Sequence, residues 1–368
     1  MKTVRRLLYG EVILAVALIT LGFLSLFYFF DLVEELQAVG KYRATGYTVA
    51  QALVYGVLLL PSHLYELLPI TVLIGTIFVM ARLAQSSEFT ILRTSGLGPW
   101  RALRTLLLLG LGFVLLTFAV GDYLAPWTGK TAQLLKSRYQ GNITVGKTGA
   151  WLREKQDASH FAVNVGALTP DTSMRDVQIF EFDGQGLLVS LTQAQTAQFA
   201  ADNAWLLRDV DRSEFINADT RSAHVDRTLV PSFRWATHIN SEMVATAVLR
   251  PERMGTIDLF HYIGHLQANG QSTQKYEFQF WKKVFYPLSC LVMVVLALPF
   301  AYLHFRSDGI ASYVFAGVMA GISFVLLNNV LGDLGSLHGW QAWLTAALPG
   351  IIYSLASLTA FTWLVLRR

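Results

Sequence analysis

The chain has 368 residues, 53% hydrophobic and only 15% charged, with a formal net charge of +4. That balance excludes an ordinary soluble globule and calls for an integral membrane protein. No basic cluster is interleaved with aromatics, and the single cysteine, Cys290, lies in an apolar run; nucleic-acid binding, a disulfide framework and a thiolate metal site are excluded, and a buried structural thiol is expected.

Lys2, Arg5 and Arg6 precede the apolar stretch Val12–Phe30. The stretch is long enough to span, and its only A-x-A, Ala15–Ala17, comes too early to end a signal h-region, so an uncleaved first span is predicted. Six segments are apolar over the roughly 20 residues needed to cross about 30 Å of hydrocarbon. They lie near 10–30, 60–81, 103–124, 282–303, 310–332 and 342–365. One side of this layout holds Lys2, Arg5, Arg6, Arg82, Arg93, Arg101, Arg104, Arg306, Arg367 and Arg368; the short loops of the other hold Lys41 and Arg43. The cation bias places both termini in the cytoplasm and residues 134–250 outside.

Pro61 and Pro69 interrupt the second span and bracket His63 and Glu66, one helical turn apart. Ionisable groups at that depth face a cavity or pair with each other, and both readings stand. A polar stretch follows, Gln85–Gly96 (QSSEFTILRTSG). Its pattern predicts a short cytoplasmic helix: Ser86 or Ser87 as cap, Glu88 in the first turn, Arg93 in the last, Gly96 at C′ and Pro99 beyond.

Cations gather around the outer ends of spans one and three: Lys41, Arg43, Lys130, Lys136 and Arg138. They suit either a phosphorylated amphiphile or lipid headgroups alone; at 100° per residue the last three do not share a helical face. Asp31, Glu34 and Glu35 weaken a simple positive funnel.

Gly141–Thr148 (GNITVGKT) matches the phosphate-loop pattern in full. The pattern works only between a buried strand and a helix. Here helix-like Thr131–Gln140 precedes and strand-like Gly149–Val165 follows, so a working nucleotide site is not expected. The insert changes period: Gly149–Arg153, His160–Val165, Val177–Phe182, Leu187–Leu191 and Trp205–Val210 read as strands. Thr169-Pro170-Asp171, Asp183-Gly184 and Asp202-Asn203 supply turns. An all-β domain of sandwich or jelly-roll type, open or V-shaped, is predicted. Helix-like spacing returns over 256–280. His261 and His265 there are spaced i, i+4, but with no third ligand they are expected to be interfacial rather than a metal pair. Asn328 and Asn329 in the fifth span are expected to make packing hydrogen bonds. No paired carboxylates, nucleophile or metal constellation suggests catalysis, and no cofactor is implied.

The fold class is thus an α-helical integral membrane protein of six spans with an inserted all-β periplasmic domain. Its parts are residues 1–133 with the helix near 85–96, residues 134–250, and residues 251–368. In this layout the chain resembles the LptF/LptG permease family. Ala84–Gly96, Gly121–Pro126 (GDYLAP), Gly149–Leu152 (GAWL) and Tyr286-Pro287-Leu288 carry the likeness. The QSSE loop and Gln279–Leu298 are similar to the LptG branch more than to the LptF branch. The resemblance implies an LptF–LptG heterodimer on a cytoplasmic LptB ATPase dimer, joined by single-span LptC and feeding lipopolysaccharide to the periplasmic bridge LptA. It also implies that the loop between spans two and three couples to the ATPase, with Ser87, Glu88, Arg93 and Gly96 in that role. Lysines frequent at the outer end of span one in LptG proteins are here replaced by Asp31–Gln37 (DLVEELQ), so Lys41 is a positional stand-in only. Lys41, Arg43, Lys130, Lys136, Arg138 and Glu66 remain candidate lipid contacts. The competing classes are an ion-coupled secondary lipid transporter, which needs midplane carboxylates in both halves, and a lipid-modifying membrane enzyme, for which no constellation exists.

Overall fold

The computed structural model describes residues 2–43, 46–86, 88–94, 98–140, 149–156, 159–169, 173–200, 203–216, 224–240, 243–244, 254–268, 270–302 and 310–363. The phosphate-loop look-alike at 141–148 lies outside these residues. The chain divides into two compact units: Met1–Glu35 with Gly56–Thr128 and Gln274–Arg368, and Leu36–Tyr55 with Gly129–Thr273.

Among the described residues six helices are long and apolar enough to cross a membrane: Arg5–Lys41, Val49–Gln85, Pro99–Lys136, Gln274–Tyr302, Ala311–His338 and Ala342–Phe361, the first three with one end in the second unit. At about 1.5 Å per residue the first three overrun a 30 Å core, which is why they extend past the apolar runs in the sequence. Helices α1 (Lys2–Lys41) and α2 (Val49–Gln85) approach closely because Gly75 has no side chain; a Cβ there would lie 2.7 Å from the Val16 side chain. A buried hydroxyl pair, Thr20 Oγ1 to Thr71 Oγ1 at 2.9 Å, adds a polar tie between the same helices. The expected interruption of the second span is not found. Pro61 and Pro69 sit inside one helix, as proline is tolerated within membrane-spanning helices. The third span instead holds the irregularity: α4 (Pro99–Ala119) passes through a π-turn, Val120–Leu124, into α5 (Ala125–Gln140). Pro99 does not merely end the preceding helix; it occupies the first turn of α4, where its missing N–H costs nothing.

The second unit is built on six antiparallel strands, β1 (Ala150–Gln156), β2 (Ser159–Leu168), β3 (Met174–Phe182), β4 (Leu188–Ala200), β5 (Ala204–Ile216) and β6 (His224–Ala236). Every ladder joins sequence neighbours, giving the order β1-β2-β3-β4-β5-β6. The all-β expectation holds, and the sheet bends back on itself in an open sandwich. Phe161 of β2 meets Trp235 of β6 at 5.6 Å, and Trp235 meets the fully buried Trp205 edge-on at 5.2 Å. The two ends of the meander are also tied. Gln156 Nε2 donates to the Ala236 carbonyl (3.0 Å), and the buried Glu154 carboxylate accepts from the His238 backbone N–H (2.7 Å) and the Thr237 hydroxyl. At Asp183 the carboxylate accepts the Gln185 and Leu187 N–H groups, both at 2.9 Å, making the β3–β4 turn expected from Asp183-Gly184.

One transverse line breaks the pleat. Met174, Ala197 and Leu207 form one buried row and Val177, Ala194 and Val210 the next, so inward residues are three apart rather than two. The extra residues are Asp176, Gln195 and Asp209, and both aspartates have positive φ (51° and 53°). Asp tolerates that region better than most L-residues, and an inserted residue bends a strand. Gly166 faces the line from β2, where a Cβ would lie 2.9 Å from that of Asp176. Pro231, which cannot donate to a ladder, meets it on the edge strand β6. A cleft of about 610 Å³ runs along this crease, lined in part by Asp176, Gln195, Asp209 and Pro231.

Helix α6 (Thr256–Ala268) belongs to the same unit and buries Leu259, Tyr262 and Leu266. Burial lowers the His265 pKa, and the Glu154 charge opposes that shift only in part. A depressed histidine pKa means that the folded state binds fewer protons than the unfolded one, whose pKa is about 6.5. This contribution is therefore intact at pH 7.5 and lost as pH falls through that value. Thermal unfolding of the insert should come at lower temperature at pH 5.5 than at 7.5, and His265→Gln should flatten the difference; an unchanged slope in the variant would contradict the assignment.

Candidate functional site

The helix expected between spans two and three is present, shortened to Glu88–Thr94 (α3). Its construction differs from the expectation at the start. Gln85 still belongs to α2, and the Ser86 hydroxyl donates back to the Leu83 carbonyl (3.4 Å), completing that helix rather than capping the next. Ser87 and Gly96 lie outside the described residues. Arg93 falls in the last turn of α3.

What holds α3 is Phe89, a residue that the sequence pattern does not single out. Phe89 is 4% exposed and meets Tyr302 edge-on at 5.1 Å, within a cluster including Leu8, Val12, Met80, Leu106 and Phe361. One face of this seven-residue helix is thus fixed to the ends of several spans, while Glu88 and Ile91 point outward. The ion pair Arg82–Glu11 (2.6 Å) and the hydrogen bond from the Tyr9 hydroxyl to the Thr105 carbonyl (2.9 Å) brace the same end of the bundle. A carboxylate on a rigid, exposed first turn is a fixed point of negative potential, and it suits a partner surface carrying cations. A signal was present in the sequence: an aromatic next to an acid inside a polar loop.

The cations fall in the other unit, on the end of α1, the segment after it and α5. Lys41 stands over the Tyr42 ring (5.4 Å) at the end of α1; Arg43 is exposed; Lys130 is exposed on α5. Lys136 stands over Tyr55 at 4.7 Å, a cation–π contact beside a second aromatic pair, Tyr47 with Tyr139 at 5.3 Å. Gln51 Nε2 donates to the Tyr139 hydroxyl (2.6 Å), so the stretch Tyr47–Tyr55 is packed along α5. Arg138 lies in the last turns of α5.

Glu66 belongs to the first unit and its side chain is exposed. Of the two readings left open for His63 and Glu66, pairing with each other is not what the structure shows: His63 Nε2 lies 2.7 Å from Asp31 Oδ2 on α1, both partly buried. The physical reason is direction, since the i, i+3 neighbour on the same helix is less well placed than a carboxylate across the helix interface. Such a pair is worth about 1 kcal/mol in a membrane bundle. A double-mutant cycle of His63→Leu and Asp31→Leu, read by thermal stability in detergent, should show coupling of about that size; additive effects would exclude the bond.

Of the two histidines in α6, His261 is exposed and His265 half-buried. Among the described residues no group of three His, Cys, Asp or Glu side chains is placed to hold a metal ion. Asn328 is buried and Asn329 exposed on α9 (Ile310–His338), following α7 (Gln274–Phe285) and α8 (Ser289–Ala297).

Six spans, a short helix headed by Glu88 presented between two of them and an all-β insert between the third and fourth define a multi-pass membrane permease. The family described as lipopolysaccharide export system permease LptF/LptG matches residues 6–365, and the chain belongs to that family. It is 29% identical over 340 residues to the lipopolysaccharide export system permease protein LptG of Haemophilus influenzae, covering 91% of this chain and 90% of that one. It is 27% identical over 363 residues to the protein of the same description from Escherichia coli K12, covering 98% and 97%.

Proposed function

We propose that the chain is the LptG-type permease subunit of an exporter that takes lipopolysaccharide from the outer leaflet of the inner membrane and passes it to a periplasmic bridge. It has no catalysis of its own in this reading; a separate cytoplasmic ATPase of LptB type supplies the energy. The observation that carries the reading is the exposed, Phe89-anchored helix headed by Glu88, since a subunit driven by a separate ATPase needs an anchored element that the ATPase can push. Both termini and α3 are cytoplasmic, and the β domain is periplasmic, as the loop cations suggest. Residues 1–133 and 251–368 form the transport body with an LptF-like partner, while 134–250 hands lipid toward LptC-like and LptA-like proteins. Closure of the ATPase moves α3 and narrows the cavity between the two permeases, and release results from the lower affinity of the narrowed form for lipid. Lys41, Arg43, Lys130, Lys136 and Arg138 are the cations offered to the lipid phosphates, with Glu66 at the wall.

A different class, an ion-coupled lipid transporter, draws support from one observation, the Asp31–His63 pair within the bundle. Copurification separates the two. The chain expressed with candidate partners should bring down an ATPase and a second permease in fixed ratio; a chain stable alone that retains neither and moves lipid on a proton gradient would overturn the proposal.

A further inference from the structure

A proline removes a backbone donor from the third span, and the fourth span replaces it; a second hydrogen bond from the fourth span reaches the second span beside Pro69. In the third span the Ala125 N–H goes to the Val120 carbonyl, five residues back. The Gly121 carbonyl is then left without its helical donor, because Ala125 is taken and the next residue, Pro126, has no N–H. Lys283 of α7, itself buried, donates from Nζ to that carbonyl at 3.0 Å. In the second span the Pro69 ring crowds the carbonyl of Tyr65, four residues back, and the next carbonyl along is that of Glu66. The Tyr286 hydroxyl donates to it at 2.6 Å. Lys283 and Tyr286 are three apart, on one face of the fourth span. The Tyr65 ring fills the space between: it meets the Tyr286 ring at 5.0 Å and presses on Gly121 so closely that a Cβ there would lie 2.2 Å from it.

We propose that Lys283 and Tyr286 are positioning residues for lipid export, which fix the π-turn of the third span and hold the second span beside it while the bundle narrows and widens; this inference rests on the export reading above. A π-turn is free to migrate along a helix, and each residue it passes turns by about 100° relative to its neighbours across the helix interface. A cation aimed at one carbonyl selects one register. Without the Nζ donor, the Gly121 carbonyl stays unpaired at membrane depth or the turn slips, and both are costly.

The test uses the complete transporter, purified with its ATPase and reconstituted with lipopolysaccharide. K283M should assemble and hydrolyse ATP within about twofold of the parent, yet release lipid roughly tenfold more slowly, as losing one buried polar partner implies. K283R should restore at least half of the release, and Y286F should fall between. Amide exchange at Tyr123–Ala125 should rise in K283M and not in K283R. Wild-type release by K283M overturns the proposal, as does a parallel loss of ATP hydrolysis and release that K283R does not rescue. If K283M fails to accumulate, Y286F, which keeps the ring packing, decides: wild-type release overturns and slowed release at intact hydrolysis supports. A parent complex that binds no ATPase refutes the export reading itself, a separate outcome.

Discussion

Glu88→Lys should abolish productive docking of the ATPase while leaving the chain inserted and folded. Glu88 is exposed at the first turn of a helix whose opposite face is pinned by Phe89, so the charge reverses without disturbing packing. Placing like charges opposite each other across an interface costs enough to weaken binding by roughly tenfold to a hundredfold. Copurified ATPase and lipid release should therefore fall together, with Glu88→Gln intermediate. Phe89→Ala keeps the charge but frees the helix from Tyr302, and should leave docking measurable while lowering release per ATP hydrolysed. Normal release by Glu88→Lys would remove α3 from the coupling path.

Trp205→Ala should unfold the insert and spare the spans. Trp205 is fully buried, meets Phe199 and Trp235 edge-on, and donates from Nε1 to the Ile239 carbonyl at 2.8 Å. Truncating such a residue typically costs about 3–5 kcal/mol, a large part of the stability of a single domain. The insert belongs to a different compact unit from the bundle. Limited proteolysis of the full chain on a temperature ramp should thus show cleavage between 149 and 240 beginning roughly 10–20 °C earlier, with the spans cleaved as before. Trp205→Phe should recover most of the difference. Simultaneous loss of both units would show that they do not unfold separately.

These effects depend on features the sequence disclosed unevenly. The six spans were legible because length and hydropathy are direct physical requirements of the bilayer. Their ends were not, since Lys2–Lys41 and Val49–Gln85 run well past the apolar run. The strands were legible by halves. His160–Val165 stops at Gly166, Val177–Phe182 begins after Asp176 and Trp205–Val210 runs only to the residue after Asp209, because an inserted residue on the crease shifts the inward phase by one. Period-2 reading tracks one phase at a time. β6 escaped altogether: it is an edge strand, exposed along most of its length and carrying Pro231, and Pro argues against strand unless the edge is known.

At the site the acidic helix was visible, its anchor was not. Phe89 is an ordinary aromatic in a loop until Tyr302, 213 positions away in the chain, packs on it. The same holds for the Asp31–His63 pair, whose partners lie on different helices. Lys283 is not singled out by the sequence; its role emerges only when Pro126 is seen to leave the Gly121 carbonyl without a backbone donor.

Central to the proposed function is energy entering from outside the chain through α3. The direct measurement is lipopolysaccharide release from proteoliposomes holding this chain, its permease partner and the ATPase, with ATP or a proton gradient supplied separately. Release is expected with ATP alone, lost when Glu88→Lys replaces the parent chain and unaffected by collapsing the gradient. Release driven by the gradient without ATP, unchanged by Glu88→Lys, would contradict it.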